Sequence, residues 1–130
     1  MEERKLKALV VEDEEVIRDF LTRFLSLNNI EVKVAEGSLK AIEMAKKEEF
    51  DIIFLDVRMP DMDGFQVLKE LKGVNHKGRY IMMTGYAVDN LLEELKKEGI
   101  SGFIKKPFEI EEIMSRVNEI RRLRKDLNGG

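Results

Sequence analysis

Apolar and polar positions alternate along the chain in blocks that predict five strands separated by helices. Short apolar runs typical of strands occur at Leu6–Val11, Val32–Ala35, Asp51–Leu55, Arg79–Thr84 and Gly102–Ile104. The first and third blocks, LKALVV and DIIFLD, are almost continuously apolar. Strands have this composition when helices cover both faces of a parallel sheet.

The segments between these runs have helical spacing, with apolar residues three and four positions apart. The first helix is expected to bury one face, formed by Ile17, Phe20, Leu21, Phe24 and Leu25. The second has Ser38 as its expected N-cap, and its weaker apolar face comprises Leu39, Ile42, Met44 and Ala45. Three more helices are predicted at Gly64–Leu71, about Val88–Lys97 and about Glu109–Leu123, the last with an apolar face of Ile110, Ile113, Val117 and Ile120.

Strand and helix thus alternate five times, a pattern that favours right-handed crossovers and a doubly wound α/β fold. The segment Lys72–Gly78 reads as a flexible loop. In such folds chemistry collects at the carboxyl ends of the strands. The polar residues at those ends are therefore the first candidates for a functional site.

The expected strand ends carry three carboxylates, one hydroxyl and one ammonium, from Glu12, Asp13, Asp56, Thr84 and one of the adjacent lysines Lys105 and Lys106, of which Lys106, directly before the proline, is favoured. Carboxylates that meet at one edge of a sheet repel each other, and one or more takes up a proton unless a cation neutralises them. An oxygen-only cluster suits Mg²⁺, which often shares its ligand shell with a phosphate. The residues therefore predict a Mg²⁺-dependent phosphoryl site with a carboxylate as the nucleophile.

Composition excludes several other classes of site. The chain has 130 residues, enough for one domain, and no cysteine, so thiolate metal sites and cysteine nucleophiles are excluded. Its net charge of −3 comes from mixed charges, so nucleic-acid binding is not expected. No apolar run approaches the ~18 residues of a membrane helix, and no signal-peptide pattern opens the chain, so a cytoplasmic protein without membrane contact is expected.

Four motifs resemble the receiver domain of bacterial two-component response regulators: LVVEDE at 9–14, DIIFLDVRMPDMDGF at 51–65, MMTGYA at 82–87 and GFIKKPF at 102–108. They follow the order and spacing of that family. The resemblance implies a flavodoxin-like fold with strand order 2-1-3-4-5. It also implies a single receiver domain over residues 1–130, with a core at about 6–123, a tail at 124–130 and no output domain.

The resemblance implies a role for each site residue. Asp56 would be the phosphoacceptor, and Mg²⁺ would be bound by Asp56, Asp13, the backbone carbonyl of Arg58 and Glu12. The extra methylene of Glu12, where Asp is commoner, favours contact through water. Lys106 would pair with the phosphoryl group, and the resemblance implies a cis bond between it and the next residue.

Two further residues would form the conformational switch of the family. Thr84 would hydrogen-bond to the phosphoryl group, and Phe103 would move into the space that it leaves. Phe103 stands where Tyr is often found, so this switch would depend on packing alone. It would alter the surface of the fourth predicted helix, the fifth strand and the fifth predicted helix.

The family likeness also implies partners. A sensor histidine kinase would donate the phosphoryl group, and a protein target or a phosphotransfer protein would receive the signal. The expected kinase-docking surface comprises Glu15, Val16, Asp19, Thr22, Pro107 and Phe108. The protein is expected to be a monomeric signalling module rather than an enzyme, with phosphorylation-dependent dimerisation as the alternative.

Two bulky residues are interpreted as tuning hydrolysis of the acyl phosphate. Arg58 follows Asp56 by two positions and Tyr86 follows Thr84 by two, so both should border the path of the attacking water. His76 is interpreted as a solvated loop residue.

Three alternatives compete with this interpretation. Phosphatases of the haloacid dehalogenase type need a second Asp where this chain has Arg58. Flavin carriers of the flavodoxin type need a Ser/Thr/Gly-rich loop where this chain has Glu12, Asp13 and Glu14. A receiver-like module that is never phosphorylated would not need the full set of site residues.

Overall fold

A computed structural model describes residues 5–57, 64–75, 77–85, 100 and 102–127 of the chain. Its strands are β1 (Leu6–Val11), β2 (Ile30–Ala35), β3 (Ile52–Asp56), β4 (Arg79–Thr84) and β5 (Gly102–Lys105). They form one sheet in the order β2-β1-β3-β4-β5, and every neighbouring pair is parallel. The predicted fold class and strand order are confirmed.

The described helices are α1 (Glu15–Leu27), α2 (Ser38–Lys47), α3 (Gly64–Val74) and α4 (Ile110–Leu127). Helix α4 corresponds to the fifth predicted helix, because the fourth, at about Val88–Lys97, lies outside the described residues. Among the residues described, no helix has both the length and the apolar character needed to cross a membrane.

The apolar core lies in two layers, one on each face of the sheet. Helices α1 and α4 cover one face, where Leu21, Leu25, Ile113 and Val117 are completely buried. Helices α2 and α3 cover the other face, where Leu68 is equally buried. The sheet is therefore shielded on both sides, and its carboxyl edge remains for polar chemistry.

The predicted buried face of α1 is too wide, and the apolar face predicted for α4 is only partly buried. Phe20 is 38% exposed, and its ring stacks on Phe24 at 6.0 Å and on Phe108 at 6.4 Å between centroids. Ile110 is also exposed, since the buried stripe of α4 starts at Ile113. The sheet covers only the centre of each apolar stripe, so the flanking residues lie at its margin.

The prediction for α2 is wrong in two details. Gly37, not Ser38, is the N-cap, and Ser38 is the first helical residue and is buried. Leu39 is exposed, because the helix packs on the sheet through the small residues Ser38, Ala41 and Ala45. Small side chains let the helix approach closely, which leaves the larger leucine outside.

The segment predicted as a flexible loop is anchored. Helix α3 continues to Val74, and the buried Asn75 follows it. The side chain of Asn75 accepts a hydrogen bond from the Phe50 N–H at 3.0 Å and donates one to the Phe50 carbonyl at 3.1 Å. The Tyr80 hydroxyl donates to the Asn75 carbonyl at 2.7 Å. These bonds fix the entrance to β4 at the edge of the sheet opposite the polar strand ends.

Candidate functional site

The loop after β1 brings an acidic pair to the carboxyl edge of the sheet. The Glu12 N–H donates to the Ala35 carbonyl at 3.1 Å, which continues the pairing of β1 with β2 by one residue. The Glu12 side chain is 0% exposed, and its Oε1 accepts from the Glu14 N–H at 3.2 Å. Asp13, the next residue, is exposed. One carboxylate is thus buried beneath the site and the other lies at its surface.

Asp56 ends β3, and two backbone hydrogen bonds fix the residue that follows it. It is buried, and its strand pairs with β4 at Met83. The Val57 N–H donates to the Met83 carbonyl at 2.9 Å, and the Gly64 N–H donates to the Val57 carbonyl at 3.1 Å. A Cβ on Gly64 would lie 2.5 Å from the Val57 carbonyl oxygen, so only glycine allows α3 to begin this close to the end of β3.

Lys106 completes the site from the end of β5. Its N–H donates to the Thr84 carbonyl at 2.7 Å, and the Lys106–Pro107 peptide bond is cis. Its Nζ lies 2.8 Å from Glu12 Oε2 and 3.2 Å from Asp56 Oδ2. Lys105, by contrast, is exposed. The ammonium of Lys106 therefore bridges two of the three carboxylates.

The three carboxylates form a group that can hold a metal ion. One oxygen from each of Glu12, Asp13 and Asp56 lies within 4.8 Å of the others. No nitrogen or sulfur ligand belongs to this group, and hard oxygen donors of this kind suit Mg²⁺ or Ca²⁺. The donor chemistry therefore fits the Mg²⁺ that the sequence predicts.

Burial and charge shift two pKa values at the site. Burial is the main cause that raises the pKa of Glu12 from 4.5 to about 7; the hydrogen bond from Lys106 opposes the shift and the charge of Asp56 adds to it. Burial lowers the pKa of Lys106, but its bond to Glu12 and the charges of Asp56 and Glu12 outweigh burial and raise it. The lysine therefore stays charged, and Glu12 responds to pH near neutrality.

We expect the metal-free protein to lose stability as the pH rises from 5 to 8. The folded state holds a proton on Glu12 up to about pH 7, whereas the unfolded state releases it near 4.5. The stabilisation is thus fully present below 4.5 and is lost as the pH passes about 7. Its size should be on the order of 1–3 kcal/mol, measured by chemical denaturation in a chelator.

Glu12→Gln should remove this pH dependence, and Glu36→Gln, at an exposed position, should retain it. Equal slopes for the wild type and Glu12→Gln would contradict the assignment to Glu12.

The two predicted switch residues lie on neighbouring strands. Thr84 is buried at the end of β4. Phe103 pairs with Met82 across β4 and β5, and it packs half-buried against the core layer of α2 and α3. Phe103 therefore lies next to the strand that carries Thr84.

The predicted docking residues lie on α1 and in the loop after Lys106, and they differ in exposure. Glu15, Val16, Asp19 and Pro107 are exposed, whereas Thr22 and Phe108 are half-buried. The stack of Phe20 on Phe108 joins α1 to the loop after Lys106 and was not predicted. Two further predictions lie outside the described residues. They are the roles of Arg58 and Tyr86 in tuning hydrolysis of the acyl phosphate, and the loop position of His76.

Sequence reasoning also missed Arg18, whose guanidinium Nη1 donates to the Glu12 carbonyl at 2.8 Å and to the Asp13 carbonyl at 2.9 Å. The sequence feature that could have indicated a role for Arg18 is its place in the first turn of a helix, where the macrodipole disfavours positive charge.

Comparisons with known proteins agree on one family. Residues 8–118 match the family described as the response regulator receiver domain. The chain is 33% identical to sporulation initiation phosphotransferase F of Bacillus subtilis over 113 residues, which cover 87% of this chain and 91% of the relative. It is 31% identical to response regulator MprA of Mycobacterium tuberculosis over 119 residues, 90% of this chain but only 51% of that protein.

A solved structure, chemotaxis protein CheY4 of Vibrio cholerae, superposes with a TM-score of 0.84 at 28% identity. The superposition covers 90% of this chain and 99% of CheY4.

Proposed function

This chain belongs to the receiver domains of two-component response regulators, and on that premise we propose that Asp56 accepts a phosphoryl group from a sensor kinase phosphohistidine. The observation that carries the proposal is the convergence of Asp56, Glu12 and Asp13 within 4.8 Å beside Lys106. This arrangement supplies a nucleophile, a cation site and a fixed positive charge from three separate strand ends.

In the proposed step, a carboxylate oxygen of Asp56 attacks the phosphorus. The new O–P bond forms as the P–N bond breaks, and the electron pair leaves with the histidine nitrogen. Lys106, with its ammonium 3.2 Å from Asp56 Oδ2, donates hydrogen bonds to the incoming phosphoryl oxygens. A bound Mg²⁺ would neutralise negative charge on the transferring group. Glu12 and Asp13, together with Asp56, would hold this ion.

The product would change the surface of the protein through Thr84 and Phe103. The phosphoryl group adds charge and acceptor oxygens, to which the hydroxyl of Thr84 donates. Phe103 then moves inward beside Met82. This movement alters the surface of β5, of α4, and of the helix that the sequence predicts at about Val88–Lys97. The half-buried starting position of Phe103 supports this movement, since moving inward would bury apolar surface that is still exposed. The altered surface serves a protein target.

A small-molecule mimic tests the proposal without knowledge of the kinase. Beryllofluoride with Mg²⁺ should shift the backbone amide signals of Asp56, Thr84 and Lys106 in NMR spectra of the wild type. Asp56→Asn should give no beryllofluoride response. If the wild type gives none with Mg²⁺ present, the result would favour an interaction module that is never phosphorylated.

The phosphoryl group either acts where it forms or passes to a second histidine protein. The name of the Bacillus subtilis relative describes a phosphotransferase, which supports onward transfer in a phosphorelay. For both outcomes the proposed location is the cytoplasm, where the kinase domain of its partner would be.

The docking surface for the kinase is proposed on the exposed side of α1 together with Pro107 and Phe108. Val16, 79% exposed, is a large apolar residue of this surface, with Glu15 and Asp19 on the same helix. Together with Phe108, Val16 would supply apolar contact to a helical partner, and Glu15 and Asp19 would supply charges beside it.

We expect Val16→Glu to slow phosphotransfer from the cognate kinase at least tenfold, because a buried charge at a docking contact costs more than ~1.4 kcal/mol. Transfer from a small-molecule donor should not change. Leu27→Glu is the matched control, since Leu27 is 85% exposed on the same helix but at the end away from the site. Equal slowing by Val16→Glu with both donors would show a folding defect and refute the docking role.

A further inference from the structure

Arg18 holds the backbone of the loop that carries the acidic pair. One nitrogen of its guanidinium, Nη1, donates to two consecutive carbonyls, those of Glu12 at 2.8 Å and Asp13 at 2.9 Å. Its own N–H donates to the Glu14 carbonyl at 3.1 Å, in the first turn of α1. The side chain thus extends toward the helix N-terminus, the direction that helical side chains favour.

This position is electrostatically unfavourable for a cation. The N-terminus of a helix carries partial positive charge, which repels a guanidinium. Glu14, the N-cap of α1, makes no capping hydrogen bond with its side chain. The two bonds from Arg18 to the loop carbonyls offset the repulsion, and they tie the helix start to the loop in place of a cap.

The loop backbone determines where the Asp13 carboxylate lies. Glu12 is held by its backbone bond to Ala35 and by the bond from Lys106 to its side chain. Among the described residues, no hydrogen bond reaches the carboxylate of Asp13, although it belongs to the carboxylate group within 4.8 Å. The position of this carboxylate therefore depends on the backbone that Arg18 fixes.

We propose that Arg18 is a positioning residue for the divalent-cation site, acting through the carbonyls of Glu12 and Asp13. The inference rests on the proposed function only in that the carboxylate group binds Mg²⁺. Arg18 has two opposite effects on that ion. Its positive charge repels the cation, whereas its hydrogen bonds hold the ligands at the right spacing. The positioning effect is the larger of the two.

Two substitutions separate these effects. Arg18→Lys keeps the charge, but its side chain is one bond shorter and lacks the planar donor group. Arg18→Met removes both the charge and the bonds. If positioning dominates, Mg²⁺ binds most tightly to the wild type and more weakly to Arg18→Met. Arg18→Lys binds it most weakly, about tenfold more weakly than the wild type does. If charge alone acts, Arg18→Met binds Mg²⁺ more tightly than the wild type does, and Arg18→Lys binds it as tightly as the wild type does.

The measurement is a Mg²⁺ titration followed by backbone amide NMR shifts. Arg23→Lys serves as the matched control, because Arg23 is exposed on the same helix and should leave affinity unchanged. A second readout needs no metal. In a chelator, hydrogen exchange at the amides of Asp13 and Glu14 should be several-fold faster in both Arg18 variants than in the wild type.

The outcomes distinguish failure of this inference from failure of the proposed function. If the wild type does not bind Mg²⁺, the proposed function fails. If it binds but the Arg18 variants bind as tightly, with unchanged exchange at Asp13 and Glu14, the positioning role is refuted. Lower thermal stability with unchanged Mg²⁺ affinity would likewise refute it, since Arg18 would then only stabilise the start of α1.

Discussion

Replacing Asp56 with Asn is expected to abolish phosphoryl incorporation, with a loss of at least two orders of magnitude that leaves no detectable product. The side-chain amide of asparagine cannot attack phosphorus as a carboxylate does, and no acyl phosphate can form on it. The measurement is intact-protein mass spectrometry after incubation with a small-molecule phosphodonor and Mg²⁺. A small donor makes the result independent of kinase docking.

The fold should survive this substitution. Asp56 Oδ2 accepts from Lys106 at 3.2 Å, and the amide oxygen of asparagine can accept the same bond. The charge of Asp56 helps to raise the pKa of Glu12, so its removal also relieves repulsion inside the site. The melting temperature in a chelator should therefore stay the same or rise.

Asp19→Asn is the matched control, since Asp19 is exposed on α1 and is not one of the three grouped carboxylates. It should be phosphorylated like the wild type by the small donor. Undiminished incorporation in Asp56→Asn would place the phosphoacceptor elsewhere and refute the proposed site.

The second large effect is expected for Lys106→Met, which should slow phosphoryl transfer on the order of 10²-fold. Among the described residues, Lys106 is the lysine whose ammonium donates hydrogen bonds to both Glu12 and Asp56. Without it, a fixed donor to the transferring oxygens is lost. Rates would be measured with saturating Mg²⁺ and a small phosphodonor.

The same substitution should destabilise the metal-free protein. Removing one partner of a buried ion pair leaves the other charge uncompensated, which costs roughly 3 kcal/mol. The effect should be larger at pH 8 than at pH 5, because the pKa of Glu12 is about 7, so a proton on Glu12 replaces the missing charge at low pH. Chemical denaturation at the two pH values measures it.

Mg²⁺ affinity separates the two roles of Lys106. The ammonium competes with a metal ion for oxygens of Glu12 and Asp56, so Lys106→Met should bind Mg²⁺ at least as tightly as the wild type. Lys105→Met is the matched control because Lys105 is the adjacent exposed lysine. If Lys105→Met slows transfer as much as Lys106→Met, the assignment of Lys106 is wrong.

The fold was largely predictable because local patterns agreed with the global arrangement. β1 and β4 run over the predicted residues, and the other strands differ by one or two residues. The errors concern how far each apolar stripe is covered. Phe20 and Leu39 have helical spacing typical of core residues, yet both are exposed. Periodicity gives the direction of a side chain on its own helix, whereas coverage depends on the neighbouring elements.

The sequence by itself determined the alternating strands and helices, and the placement of carboxylates, a hydroxyl and an ammonium at the strand ends. These follow from local periodicity and from the rule that parallel strands end at one edge. Family likeness added the order of the strands.

Only the tertiary structure decided how those groups act on one another. Lys106 meets Glu12 across 94 positions of sequence, and the burial that raises the pKa of Glu12 comes from surrounding elements. The two bonds from Arg18 to the loop carbonyls likewise need the exact turn between β1 and α1. A pKa, an ion pair and a fixed backbone depend on distance and solvent exclusion, which become defined when the strands and helices pack together.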